Sequence, residues 1–183
     1  MANAAGAAGL SLLMAEDRET AAEWLRRAAE RYRESYADAP AGSWGRPIGA
    51  IKARLLAGDE EGAAADARWA LAEGAAGADS PIGKYAGCLA CLVLGDWQRA
   101  RVLADDLRTH EGFPTDVADA LAFIAADDPV GYTVAVESVL RSFETRDEYL
   151  EDIAVADTVL VLQVLAARRG IEVELESALL PPG

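Results

Sequence analysis

Apolar positions recur every three to four residues through most of the chain. Trp24, Ala28, Tyr32 and Tyr36, with Leu25, form one such stripe, and Tyr132, Val136, Leu140 and Phe143 form another. That period places one face of an α-helix against a core. Stop and start signals stand between the stripes. Ser80-Pro81 and Asp128-Pro129 put a capping side chain before a proline at the first helical position, and Gly58, Gly74, Gly112 and Gly170 stand where helices should end. The pattern predicts about nine helices, over residues 4–15, 18–37, 44–57, 60–73, 81–94, 97–110, 115–126, 129–143 and 153–169. The last is different. Ile153, Val155, Val159, Leu160, Leu162, Val164 and Leu165 leave it almost no polar face, so it is expected to be wrapped by its neighbours at the centre of the core.

After Gly170 the period changes to two. Ile171-Glu172-Val173-Glu174-Leu175-Glu176 alternates strictly, which predicts an extended tail over 171–177 with one apolar and one acidic face. Such a tail either lies on the last helices or is offered as a strand to a partner or a second copy.

A weak repeat underlies the helices. Leu13-Met14-Ala15-Glu16-Asp17 followed by Ala21, Leu55-Leu56-Ala57-Gly58-Asp59 followed by Ala63, and Leu92-Val93-Leu94-Gly95-Asp96 followed by Ala100 share one template. A looser fourth copy is Ile124-Ala125-Ala126-Asp127 followed by Gly131, giving aspartate spacings of 42, 37 and 31 residues. Each copy is an apolar helix end, a tight turn and an acid opening the next helix. These periods predict an all-α fold of stacked antiparallel helical hairpins, tetratricopeptide-like in kind. A single helical domain is expected over 1–183, with near-neutral hairpins over 1–104 and an acidic half over 105–183.

Composition narrows the class. A chain of 183 residues that is 52% hydrophobic can bury a real core, and abundant alanine with 7% aromatics favours close helix packing. Only Lys52 and Lys84 are lysines among 17 basic residues, so the base usage is overwhelmingly arginine. The first base is Arg18, which argues against a secretory leader, and the apolar run 153–167 carries Asp157 and Gln163 and is too short to span a bilayer. Cys88 and Cys91 alone give no disulfide framework. A soluble cytoplasmic protein is the expectation.

Charge changes the picture most. The formal net charge is −14, which disfavours nucleic-acid binding. The acids are unevenly spread: residues 1–104 hold 14 acids and 12 bases, residues 105–152 hold 13 acids and 3 bases, and residues 153–183 hold 4 and 2. Acidity with arginine-dominated bases fits a salt-loving, halophilic source, although adaptation to high salt alone would predict a more even spread. A concentrated acidic stretch instead focuses potential toward a cationic partner. The candidate partner-binding residues are Asp105, Asp106, Asp116, Asp119, Asp127, Asp128, Glu144, Asp147, Glu148, Glu151 and Asp152.

Candidate chemistry is sparse. Cys88-Leu89-Ala90-Cys91 is formally a C-x-x-C, but it lies within an apolar helical run instead of at a helix N-terminus, and two thiols with one histidine fall short of a zinc set. His110, the sole histidine, is expected to cap a helix end. Gly83 and Gly87 are four apart, as close helix packing requires, and Trp44 sits in a loop-like stretch that suggests a surface anchor. No cofactor, metal site or catalytic set is expected.

The segment from Thr158 to Pro181 carries a resemblance. Its apolar helix ending in Arg169-Gly170-Ile171, the alternating Val-Glu run and the closing Glu176-Ser177 and Leu180-Pro181 resemble the end of the all-helical immunity-protein family numbered forty-nine of bacterial polymorphic-toxin systems. The likeness covers about 40 residues, and nothing before about residue 130 takes part. It implies a small cytoplasmic protein that neutralises a toxin domain by binding it, without catalysis.

These readings converge on a non-enzymatic protein-binding module that presents acids to a basic protein. Two alternatives stand beside it: an enzyme or ligand-binding protein with a pocket between helices, and a self-associating helical scaffold.

Overall fold

The computed structural model describes residues 1–182. Among them the chain forms nine α-helices: α1 (Ala2–Met14), α2 (Arg18–Tyr36), α3 (Gly45–Leu56), α4 (Glu60–Ala72), α5 (Pro81–Leu94), α6 (Trp97–Leu107), α7 (Thr115–Ala126), α8 (Pro129–Glu144) and α9 (Asp157–Ala167). Short 3-10 turns lie at Ala75–Gly77 and Leu150–Asp152, and no described residue pairs in a strand.

One turn, used four times, makes the hairpins. Glu16, Gly58, Gly95 and Asp127 take left-handed φ values of 60°, 65°, 75° and 58°. The amide of the next residue then reaches back to a carbonyl of the preceding helix, pairing Asp17 with Leu12, Asp59 with Arg54, Asp96 with Cys91 and Asp128 with Phe123 at 2.9–3.0 Å. That closes the first helix with a Schellman geometry. The same aspartate opens the second helix: its carboxylate accepts from the amide three residues on, at 3.2 Å for Asp17, 2.9 Å for Asp59, 3.2 Å for Asp96 and 2.9 Å for Asp128. Stop and start are thus compressed into two residues, which forces the helices antiparallel. The fourth copy is shifted by one residue from the sequence reading. Asp128 caps, while Asp127 fills the left-handed position that Gly58 and Gly95 fill elsewhere. The position four after each cap is fully buried, and it holds Ala21, Ala63 and Ala100 but then Tyr132.

The hairpins α1–α2, α3–α4, α5–α6 and α7–α8 stack in order, each helix packing on the next, and α3 also touches α5. Helix α9 crosses this stack and packs against α3, α7 and α8. No residue from 157 to 166 is exposed, so the helix is wrapped as expected. The most buried helix, however, is α5, in which Gly83 and the whole run Tyr85–Val93 are buried. Helix α9 also begins later than its apolar run: Leu150–Asp152 is a 3-10 turn, and Ile153 to Ala156 lead in without helical hydrogen bonding. The tail takes up the lead-in's backbone: the Ala156 amide donates to the Leu179 carbonyl and the Val155 amide to Ile153, each at 2.9 Å, so helical bonding starts only with Leu160 on Ala156.

Arg168 and Arg169 tether the far end of α9. Arg168 pairs with Glu60 on α4 and donates to the Val93 carbonyl at 2.8 Å. Arg169 stacks 4.4 Å from the Trp97 ring centre and faces Asp127 at 3.7 Å. Beyond it the tail runs back over the helices in extended form. Ile171 is buried, Val173, Leu175 and Leu179 pack against the main core, and Glu172, Glu174 and Glu176 face solvent. Gln163 donates to the Val173 carbonyl at 3.3 Å, and the Ala156 amide donates to Leu179 at 2.9 Å. The alternation therefore arises from one strand-like face lying on helices.

Candidate functional site

The antiparallel hairpins sort the eleven candidate acids by end. The close of α6, the start of α7 and the close of α8 share one end of the stack, so Asp105, Asp106, Asp116, Asp119, Glu144, Asp147 and Glu148 lie toward it, and Glu151 and Asp152 follow on the loop that leaves it. Asp127 and Asp128 sit at the other end of α8, 16 residues and about 24 Å away. The structure does not bring all eleven together.

Several of them are already engaged. Asp105 pairs with Arg101 at 2.8 Å and Arg108 at 2.7 Å, and Asp119 pairs with Arg108 at 2.6 Å. Lys84 on α5 bonds Asp106, and this hydrogen bond holds the Asp106 carboxyl below its ordinary range. Asp127 faces Arg169, Asp128 caps α8, and Glu144 accepts from the Ser177 hydroxyl at 2.8 Å. Asp116 bonds its neighbouring amide, of Val117, at 2.9 Å. The remaining four, Asp147, Glu148, Glu151 and Asp152, are exposed and form no ion pair among the described residues. With Glu144 they give the segment 144–152 five acids against Arg146 alone. Arg146 lies 3.7 Å from the Phe143 ring centre. From this end a groove runs between α7 and α8 toward the other, lined by Asp116, Asp119, Phe123, Val130 and Val134; Val130 and Val134, on its far part near Asp128, are 75% and 63% exposed.

A second polar cluster escaped the sequence reading. Lys52 on α3 meets Asp157 at the start of α9 at 2.5 Å and Thr158 at 3.4 Å. Tyr32 on α2 donates to Asn3 on α1 at 2.6 Å nearby. Burial by itself lowers the Lys52 ammonium, but Asp157, with Tyr85 and the direct hydrogen bond, carries it above its ordinary value. Burial raises the Tyr32 and Tyr85 phenols, with Lys52 opposing. The cluster lies beside a cavity of about 230 Å³ between α1, α2 and α3, walled by Leu10, Leu25, Ile48 and Leu56. Two signals pointed here: a lysine in an arginine-dominated chain, and an acid interrupting an apolar helix.

The other candidates take packing positions. Cys88 and Cys91 are free and fully buried within α5, Cys88 donates to the Ala100 carbonyl at 3.4 Å, and burial pushes both thiols up, Cys91 to about 11. Trp44, expected at the surface, is buried: its indole abuts Gly83, where a Cβ would lie 2.8 Å from Nε1. At Gly87 a Cβ would meet the Ala76 backbone at 2.7 Å, so both glycines admit the 75–78 turn against α5. His110 falls in the turn after α6, which ends at Leu107 and not at 110, and its charge helps lower Asp106. Among the described residues, no group of His, Cys, Asp and Glu is arranged to hold a metal ion, and no helix is long and apolar enough to cross a membrane.

The chain matches no protein-family model, no curated protein sequence and no solved structure.

Proposed function

We propose that the protein is a non-enzymatic binding module whose acidic end captures a basic protein, in the manner of an immunity protein. One observation carries this reading. The segment 144–152 holds five acids and one base, and two of those acids, Glu151 and Asp152, stand at left-handed φ. Clustered like charge and strained non-glycine backbone both cost stability. A segment that leaves Asp147, Glu148, Glu151 and Asp152 without a base, while Asp105, Asp106 and Asp119 are neutralised by arginine and lysine, is one kept for contact with something cationic. The apolar strip of Val130 and Val134 beside Asp116 and Asp119 supplies surface that a protein partner can cover. The resemblance of the segment 158–181 to the immunity family points the same way. Arg168, Arg169 and the Val-Glu tail serve the fold there, so contact with a toxin domain falls to the acidic end.

The test is affinity capture from the native cell lysate at about 50 mM and about 500 mM salt. It compares the natural chain with a variant carrying Asp147→Asn, Glu148→Gln, Glu151→Gln and Asp152→Asn. A basic protein should be retained at low salt, released at high salt, and lost from the variant. Retention that ignores both salt and the four substitutions overturns the reading, as does no retained protein.

A further inference from the structure

The cavity between α1, α2 and α3 has the composition of a small-molecule site, and the acidic segment 144–152 reaches it at Leu150. Its volume is about 230 Å³, and its walls are Leu10, Leu25, Ile48 and Leu56, with Leu150 at the rim. A dry, enclosed cavity of about 150 Å³ with similar walls accepts benzene; this one opens to solvent on one side, and its volume corresponds to about nine non-hydrogen atoms. The opening is not a packing accident at every glycine. At the buried Gly6 the nearest atom to an added Cβ is Ala28 Cβ at 3.9 Å, so a larger residue would fit there and fill the space.

Charge defines the ligand. Lys52 and Asp157 neutralise one another at 2.5 Å, and both line the cavity. A carboxylate ligand would set two anions on one shielded ammonium, and an ammonium ligand would oppose Lys52. Both arrangements are costly away from water. The ammonium has three N–H donors, of which Asp157 and Thr158 take two. The Tyr32 oxygen donates to Asn3 and keeps its lone pairs. One donor and one acceptor thus remain at the polar end, the complement of a single hydroxyl. We propose that this cavity binds a small uncharged aromatic alcohol, its ring among the leucines and its hydroxyl between Lys52 and Tyr32.

The probe is benzyl alcohol, with benzoate and benzylammonium as charged controls and toluene as the control without a hydroxyl. Titration calorimetry and amide chemical shifts of Gly6 and Gly49 give the readout. Benzyl alcohol should bind saturably and the charged controls should not. Gly6→Leu should abolish binding while melting at or above the natural chain, because it fills space and removes a helix glycine. The double variant Lys52→Met with Asp157→Leu replaces both members of the ion pair and so keeps the fold. It should weaken benzyl alcohol about tenfold and leave toluene unchanged. Absence of saturable binding, equal binding of benzoate, or binding that survives both variants overturns the proposal.

Discussion

Tyr132 shows how one residue can carry the irregularity of a whole repeat. It occupies the position that Ala21, Ala63 and Ala100 hold in the other three hairpins, and it is fully buried. Its hydroxyl has no hydrogen-bond partner, and burial raises its pKa far above the ordinary phenol. A buried hydroxyl without a partner forfeits its hydration and gains nothing in exchange. Tyr132→Phe removes the oxygen and keeps the ring, so it should raise stability by about 1 kcal/mol in urea unfolding. A loss of stability would mean that the hydroxyl is satisfied after all. The neighbouring Gly131 follows from the same crowding, since a Cβ there would lie 2.5 Å from the Phe123 ring.

At the level of elements, the N-terminal hairpins are joined by a charge network. Asp66 on α4 is the one fully buried charged residue among the described residues, at 1% exposure. It accepts from Arg33 on α2 at 2.7 Å and from Arg54 on α3 at 3.3 Å, while Arg54 also holds the capping Asp59 at 2.8 Å. Three helices therefore depend on one carboxylate. Asp66→Ala leaves the largely buried Arg54 with Asp59 alone and should cost about 3 kcal/mol in the same measurement, the lower end for breaking a buried pair. The outer arginine of the network, Arg33, is about half exposed, so Arg33→Ala should cost well under that. Equal effects would show that the network does not converge on Asp66.

The whole molecule has an alkaline limit written into its interior. Cys88 and Cys91 are raised from 9.0, Tyr32, Tyr85 and Tyr132 from 10.0, and Lys52 from 10.5. Each folded-state value lies above the unfolded one, so above the unfolded value the unfolded chain binds fewer protons than the native state. The stability these groups contribute is intact below pH 9 and is lost as pH rises through the folded values. Urea midpoints should hold steady from neutral pH to about 9 and fall steeply above it. A midpoint that stays level through pH 11 would contradict the buried placement of these side chains.

The helices, the four compressed turns, the inward face of the tail and the uneven charge were all legible in the residue order, because each rests on neighbours a few positions apart. Spacing of 3.6 or 2, a left-handed residue before an aspartate, and a run of acids are local facts. Asp128 was legible as the fourth cap from the proline after it, but the repeat template fell one residue early, on Asp127, because either acid satisfies it until the left-handed residue is known. Tertiary structure decided the rest. It placed α5 and not α9 at the deepest position, buried Trp44 under Gly83, and neutralised Asp105, Asp106 and Asp119 with arginine and lysine from neighbouring turns and helices. It also brought Lys52 to Asp157, 105 residues apart, beside a cavity that no local pattern announces. Such pairings depend on which faces meet when the hairpins stack, and sequence separation carries no record of that.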